Sequence, residues 1–252
     1  MDLGKELVGK LYTKEIFSFT LFGYKVSVVD SIIVMWIVMA VLVVLSIVLT
    51  KNMKVIPEGK QSFVEAVVEG INSFTKSIIG QHHWSFFAPY LGTIFLFLII
   101  SNTISIFSII PEWEQLYALT HWEFFEHLPP VTIKPPTKDI NVTVALAFMS
   151  VVMVSYGAIK YKRFSGWLKS FIEPVPLLLP MKIMENFIRI LSLSFRLFGN
   201  VLGAFIIMEL IYLTLPFLLP AGLSIYFDLF DGILQAFVFV FLTSLYMAEA
   251  VE

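Results

Sequence analysis

The chain has 252 residues, 58% of them hydrophobic and 14% charged, with a mean hydropathy of +0.86, outside the range of ordinary soluble domains. A net charge of −2 leaves no basic excess for nucleic acid, and the absence of cysteine excludes disulfides, thiol catalysis and thiolate metal sites. These values describe an integral membrane protein, because a soluble helix keeps one face polar and does not supply repeated uncharged runs of ~20 residues.

The N-terminal stretch carries Lys5, Lys10, Lys14 and Lys25 without a compact apolar core and small-residue cleavage site, so it does not read as a cleaved signal. Ser31 to Thr50 carries no charge and is edged by Asp30, Lys51 and Lys54. It is long enough to cross a hydrocarbon core of ~30 Å. Phe63, Val64, Val67, Val68, Ile71, Phe74 and Ile78 then recur at helical spacing opposite Glu65, Glu69, Asn72 and Lys76. That pattern predicts an amphipathic helix lying along the interface. Phe86 to Ile110 forms a second span and Ile140 to Ile159, closed by Lys160, Lys162 and Arg163, a third. The polar loop Pro111 to Asp139 separates them.

Pro174, Pro176 and Pro180 interrupt the next apolar stretch and place a helix start near Met181. Two long segments follow, Met184 to Leu215 and Leu223 to Ala248, divided by a turn over Pro216 to Gly222. The first would reach about 48 Å at ~1.5 Å per residue, so it must tilt or extend beyond the core. The expected fold is an all-α membrane protein of about five transmembrane helices, the last two a long tilted hairpin, with one interfacial helix. It forms a single membrane domain over 1–252, with 1–83 carrying the first span and interfacial helix and 84–252 the ion-path helices.

Lys160, Lys162, Arg163, Lys169 and Lys182 cluster between spans three and four, whereas the 111–139 loop carries Glu112, Glu114, Glu123 and Glu126 against Lys134 and Lys138. The positive-inside rule makes the first cytoplasmic and the second external. The N-terminus is then outside and the C-terminus inside a cell (plasma) membrane.

Ionised groups within a bilayer cost from ~3 to over 10 kcal/mol, so each needs a reason. Glu185 and Arg189 are four apart and read as a structural pair. Arg196 has no acid at i±3 or i±4; its neighbours Ser192 and Asn200 cannot neutralise it, and its guanidinium keeps its proton. Its partner must come from another helix or chain, either Asp228 or Asp231 within this sequence or a carboxylate outside it. Gly199, Gly203 and Ala204, one or two turns on, allow close approach of a neighbouring helix.

The run Pro180-Met-Lys-Ile-Met-Glu185-Asn-Phe-Ile-Arg189-Ile-Leu-Ser-Leu-Ser-Phe-Arg196-Leu-Phe-Gly199-Asn200 resembles the signature of subunit a of F-type ATP synthases. So do Leu234-Gln235-Ala236-Phe237 running to Tyr246, Pro136-Thr137-Lys138-Asp139-Ile140-Asn141-Val142-Thr143, and Asn102 in span two. The resemblance covers most of the chain beyond about residue 84; before that only the pattern of spans is similar. It implies a stator subunit beside a ring of c subunits, with two half-channels for protons or sodium ions. Arg196 would draw each ring carboxylate into its ionised form and stand between the half-channels. Implied partners are the c-ring, the b subunits of the peripheral stalk and the other synthase subunits within the lipid bilayer, with no nucleic acid, cofactor, metal or catalytic chemistry in this chain.

Where many relatives carry a glutamate or histidine nine residues after the arginine, paired with a histidine or acid seven before the glutamine, this chain has Phe205 and Asp228. Glu209, one turn beyond Phe205, is the available substitute. Asp228, Asp231 and Gln235 fall at i, i+3 and i+7 on one stripe, so Glu209, Asp228, Asp231, Gln235, Asn200 and Asn102 are the expected ion-path residues, with packing hydrogen bonds as the competing role for Gln235 and Asn102. Ser105 and Ser108 share the Asn102 face. His82 with His83, and His121 with His127, lack metal-ligand spacing. The competing function is a secondary transporter or channel using Arg196 to bind an anionic substrate, but no internal repeat accompanies it. An intramembrane enzyme would need a nucleophile constellation such as HExxH or GxSxG, and none occurs.

Overall fold

A computed structural model describes residues 15–21, 23–51, 53–104, 135–172, 177, 179–214, 222–223 and 225–251. The chain runs through a hairpin of β1 (Glu15–Leu21) and β2 (Tyr24–Val29), then α1 (Asp30–Thr50), α2 (Lys60–Ile79) and α3 (Trp84–Thr103). A 3-10 turn (Pro136–Lys138) leads into α4 (Ile140–Ile172), α5 (Leu179–Thr214), a π-helical segment (Ile225–Asp231) and α6 (Gly232–Val251). Among the described residues five helices are long and apolar enough to cross a membrane, and they are the expected five spans.

The hairpin is new relative to the sequence reading. Its strands pair antiparallel from Phe17 opposite Val28 to Leu21 opposite Tyr24, and Gly23 takes the positive φ of 85° that the tight turn needs. α1 buries only Ser31 and Val38, as expected of a helix whose surroundings are lipid.

α2 turns Val64, Val67, Ile71, Phe74 and Ile78 inward, but Phe63 and Val68 stay exposed. Phe74 packs its ring against Phe237 and Phe241 of α6, with centroids 5.3 and 6.3 Å apart. The core lies where α3, α4, α5 and α6 meet, around Phe87, Leu98, Leu193, Leu197, Phe239 and Met247. At Gly157 of α4 the Phe87 ring fills the place a side chain would take, 2.3 Å from an ideal Cβ.

Three boundaries differ from expectation. α4 continues past Ile159 to Ile172 but breaks at Arg163, whose φ of 62° and ψ of 161° are not helical. α5 begins at Leu179 with Pro180 in its first turn, where the missing amide hydrogen costs nothing. The chain over 225–231 winds as π-helix before α6 becomes regular. Residues 105–134, including Ser105, Ser108, His121 and His127, and the turn at 215–221 lie outside the described residues.

Candidate functional site: the arginine helix and the polar knot beside it

α5 is 36 residues long, about 54 Å at ~1.5 Å per residue, and packs chiefly along α4, touching α6 over a shorter stretch. Arg196 sits near its middle and is exposed. Among the described residues it makes no hydrogen bond or ion pair, so neither Asp228 nor Asp231 serves as its partner within the chain. Gly199 and Gly203 follow with open space where a Cβ would stand. The arginine thus lies on a face of α5 that the other described residues leave uncovered, flanked by small residues.

One turn or two toward the helix start, Arg189 bonds Glu185, the expected i,i+4 pair, and also Glu249 of α6 at 2.8 Å. Its guanidinium lies over the Tyr246 ring, 4.7 Å from the centroid. The pair is therefore a cross-helix tie between α5 and α6, which local spacing alone does not reveal.

On the other side of Arg196 a polar knot forms around the 3-10 turn. Asp139 closes the start of α4: its Oδ1 accepts from the Asn141 amide at 2.9 Å, and its Oδ2 accepts from the Ser31 hydroxyl of α1 at 3.0 Å. A carboxylate at a helix N-terminus satisfies free amides and complements the dipole. Thr137 donates to Asn102 Oδ1 at 2.8 Å, and Asn102 Nδ2 donates to the Gly232 carbonyl at 3.1 Å. Asn102 therefore joins α3, the 3-10 turn and the first residue of α6, which is the packing role held open for it. The Thr143 and Ser194 hydroxyls meet at 3.4 Å, linking α4 to α5 two residues before Arg196.

Lys138 is a cation the sequence reading did not single out. It is 7% exposed, and its Nζ lies 3.5 Å from the centroid of the Phe205 ring on α5. Only the tertiary structure brings the two together, although a lysine beside a helix-capping aspartate in an apolar chain was a signal that could have been read.

The remaining candidates are spread over α5, the π-helical segment and α6. Gln235 is buried, and its Nε2 has no hydrogen-bond partner among the described residues. Asp228 and Asp231 are half-buried and lie in the π-helical segment. There the wider i→i+5 turn removes the stacking of residues three apart, and the single stripe expected from α-helical spacing does not form. Asn200 is half-buried on α5. Glu209 is on α5 one turn beyond Phe205, and its side chain lies outside the described residues.

A family model of the ATP synthase A chain matches residues 32–248. The chain belongs to that family. The match runs from the third residue of α1 into the last turn of α6 and includes Arg196 and the 136–143 motif. The protein is therefore an ATP synthase A chain, subunit a of the F-type enzyme, a membrane-embedded stator subunit that serves ion transport for ATP synthesis. It is an ion-translocating component of that complex rather than its catalytic one. Membership decides against a free-standing transporter.

Proposed function

We propose that this chain provides two half-channels for a monovalent cation, a proton or a sodium ion, beside a rotating ring of c subunits, with Arg196 as the fixed charge between them. The reading is carried by Arg196 itself, an arginine at mid-helix on the open, glycine-flanked face of α5 without a partner among the described residues. Because the guanidinium keeps its charge, the cost of holding it within the membrane is offset when a carboxylate arrives from another chain. A ring carboxylate meeting the guanidinium is held ionised and gives up its cation, and the same positive charge repels a cation leaking straight through. One charge crossing ~100 mV releases ~2.3 kcal/mol, and successive steps add to drive rotation.

Glu209, Asp228 and Asp231 supply negative charge on the α5 and π-helical walls, with Asn200 near the arginine and Gln235 and Asn102 in the seam behind. The chain acts as one membrane domain in the plasma membrane, N-terminus outside and C-terminus cytoplasmic, with the b subunits as further neighbours. Arg196→Ala abolishes ion-driven ATP synthesis in vesicles holding the whole complex, and Arg196→Lys loses most of it, because a compact ammonium does not reproduce the guanidinium fork. Near-normal synthesis with either variant overturns the assignment. In the same assay Glu209→Gln and Asp228→Asn slow synthesis more than they reduce assembly.

A further inference from the structure

The span of α4 ends in an ordered succession of surfaces. Phe148, Val152, Tyr156 and Lys160 recur every fourth residue, so they lie along one side of the helix, and all four are exposed. The stripe runs about 18 Å at ~1.5 Å per residue, close to the ~15 Å of one leaflet in a hydrocarbon core of ~30 Å. At its polar end the Lys160 ammonium lies over the Phe86 ring of α3, 3.5 Å from the centroid, and the Tyr156 ring is 5.7 Å from the same ring. The Tyr161 and His83 rings meet beside them with centroids 4.1 Å apart, which joins the turn before α3 to the end of α4. Lys162 and Arg163 follow directly.

These cations have no counter-charge nearby. Lys160, Lys162 and Arg163 make no ion pair among the described residues. α3 and α4 carry no acid, and α2 carries none after Glu69. The ring contact holds the Lys160 ammonium without cancelling its charge. Arg163 is also the one non-glycine among the described residues with a positive φ, 62°, in a region that glycine enters freely and bulky residues avoid. An arginine kept where the backbone favours glycine points to a use for its guanidinium. Cations at the rim, an aromatic residue one turn inward and an apolar track beyond it match the phosphate, glycerol and acyl layers of a lipid. We propose that Lys160, Lys162 and Arg163 bind the phosphate of an anionic phospholipid whose acyl chain lies along Phe148, Val152 and Tyr156. Free phosphate or an acidic protein segment would match the cations but not the apolar stripe that leads to them.

Photolabelling of the whole synthase complex in phosphatidylcholine nanodiscs tests the site. The probe is a trace of phosphatidylglycerol with a diazirine in its acyl chain, and labelled peptides are mapped by mass spectrometry per assembled complex. Label falls on the 148–156 stretch. Unlabelled phosphatidylglycerol competes it away, and neither added phosphatidylcholine nor millimolar inorganic phosphate does. Lys160→Gln, Lys162→Gln and Arg163→Gly each weaken binding about 5-fold, and the three together about 100-fold, from the attraction of each basic side chain to anionic lipid. Arg163→Gly removes the guanidinium while suiting the backbone. Lys160→Arg, which keeps the charge and the ring contact, retains the label. Lys51→Gln, which removes an equal charge at the end of α1, leaves it unchanged. Competition by inorganic phosphate overturns the proposal in favour of a free anion, and equal weakening by Lys51→Gln overturns it in favour of diffuse surface potential. Absence of label at 148–156 also overturns it; protection of Lys160 and Lys162 from a water-soluble acylating reagent would then assign the patch to an acidic protein segment.

Discussion

At the scale of single residues, the two arginines of α5 behave differently because their surroundings differ. Arg196 is exposed and makes no ion pair among the described residues, whereas Arg189 is held by Glu185, Glu249 and the face of Tyr246. Both glutamates are about half exposed or more, so each ion pair alone contributes little. The arginine is largely covered, and its stacking on Tyr246 adds about 0.5–1 kcal/mol. Arg189→Met should therefore lower the thermal stability of the complex by about 1–2 kcal/mol while leaving the ion path chemically intact. A thermal melt of the purified complex together with coupled synthesis measures this. Loss of coupling with an unchanged melting temperature would move Arg189 from structure to the ion path. Asn102 makes packing bonds of the same kind, its buried amide joining Thr137 and Gly232.

Between elements, close approach depends on where side chains are missing. α3 and α4 meet where the Phe87 ring lies over Gly157, and Phe87 is fully buried. Gly157→Val should force the helices apart and cost about 1–3 kcal/mol or block assembly, read as loss of the chain from the purified complex. Wild-type yield and melting temperature would show that the seam relaxes at no cost. Gly232 is the second such contact, its ideal Cβ 3.0 Å from Asn102 Cβ. The β1–β2 hairpin was legible in outline: apolar and polar residues alternate through Phe17-Ser18-Phe19-Thr20-Leu21 and again through Tyr24-Lys25-Val26-Ser27-Val28 around Gly23. The π-helical winding of Ile225–Asp231 left no comparable mark, because the residues that would build an α-helix also fit the wider turn.

For the molecule as a whole, the lysine and arginine asymmetry predicts an orientation that labelling can test. A cysteine placed between Pro111 and Lys134 should react with a membrane-impermeant maleimide from outside. One placed between Lys162 and Lys169 should react only when the cytoplasmic face is opened. The native chain contributes no background, having no cysteine of its own. The opposite pattern would invert every span and move the 3-10 turn with its Lys138 to the cytoplasmic side.

The sequence by itself determined the number of spans, the amphipathic α2, the Glu185–Arg189 pair and the isolation of Arg196 on its own helix. Each of these is a local property: run length against bilayer thickness, helical periodicity, or the spacing of charges along one helix. Tertiary structure decided that Glu249 and Tyr246 complete the Arg189 tie, that Asn102 bonds the 3-10 turn and Gly232, that the described residues leave the face around Arg196 open, and that Lys138 lies over Phe205. In lipid, apolar surface faces its neighbours and the solvent alike, so hydrophobicity does not record which helix meets which. Fit around small residues and a few hydrogen bonds between distant segments settle it, and these exist only once the chain is folded.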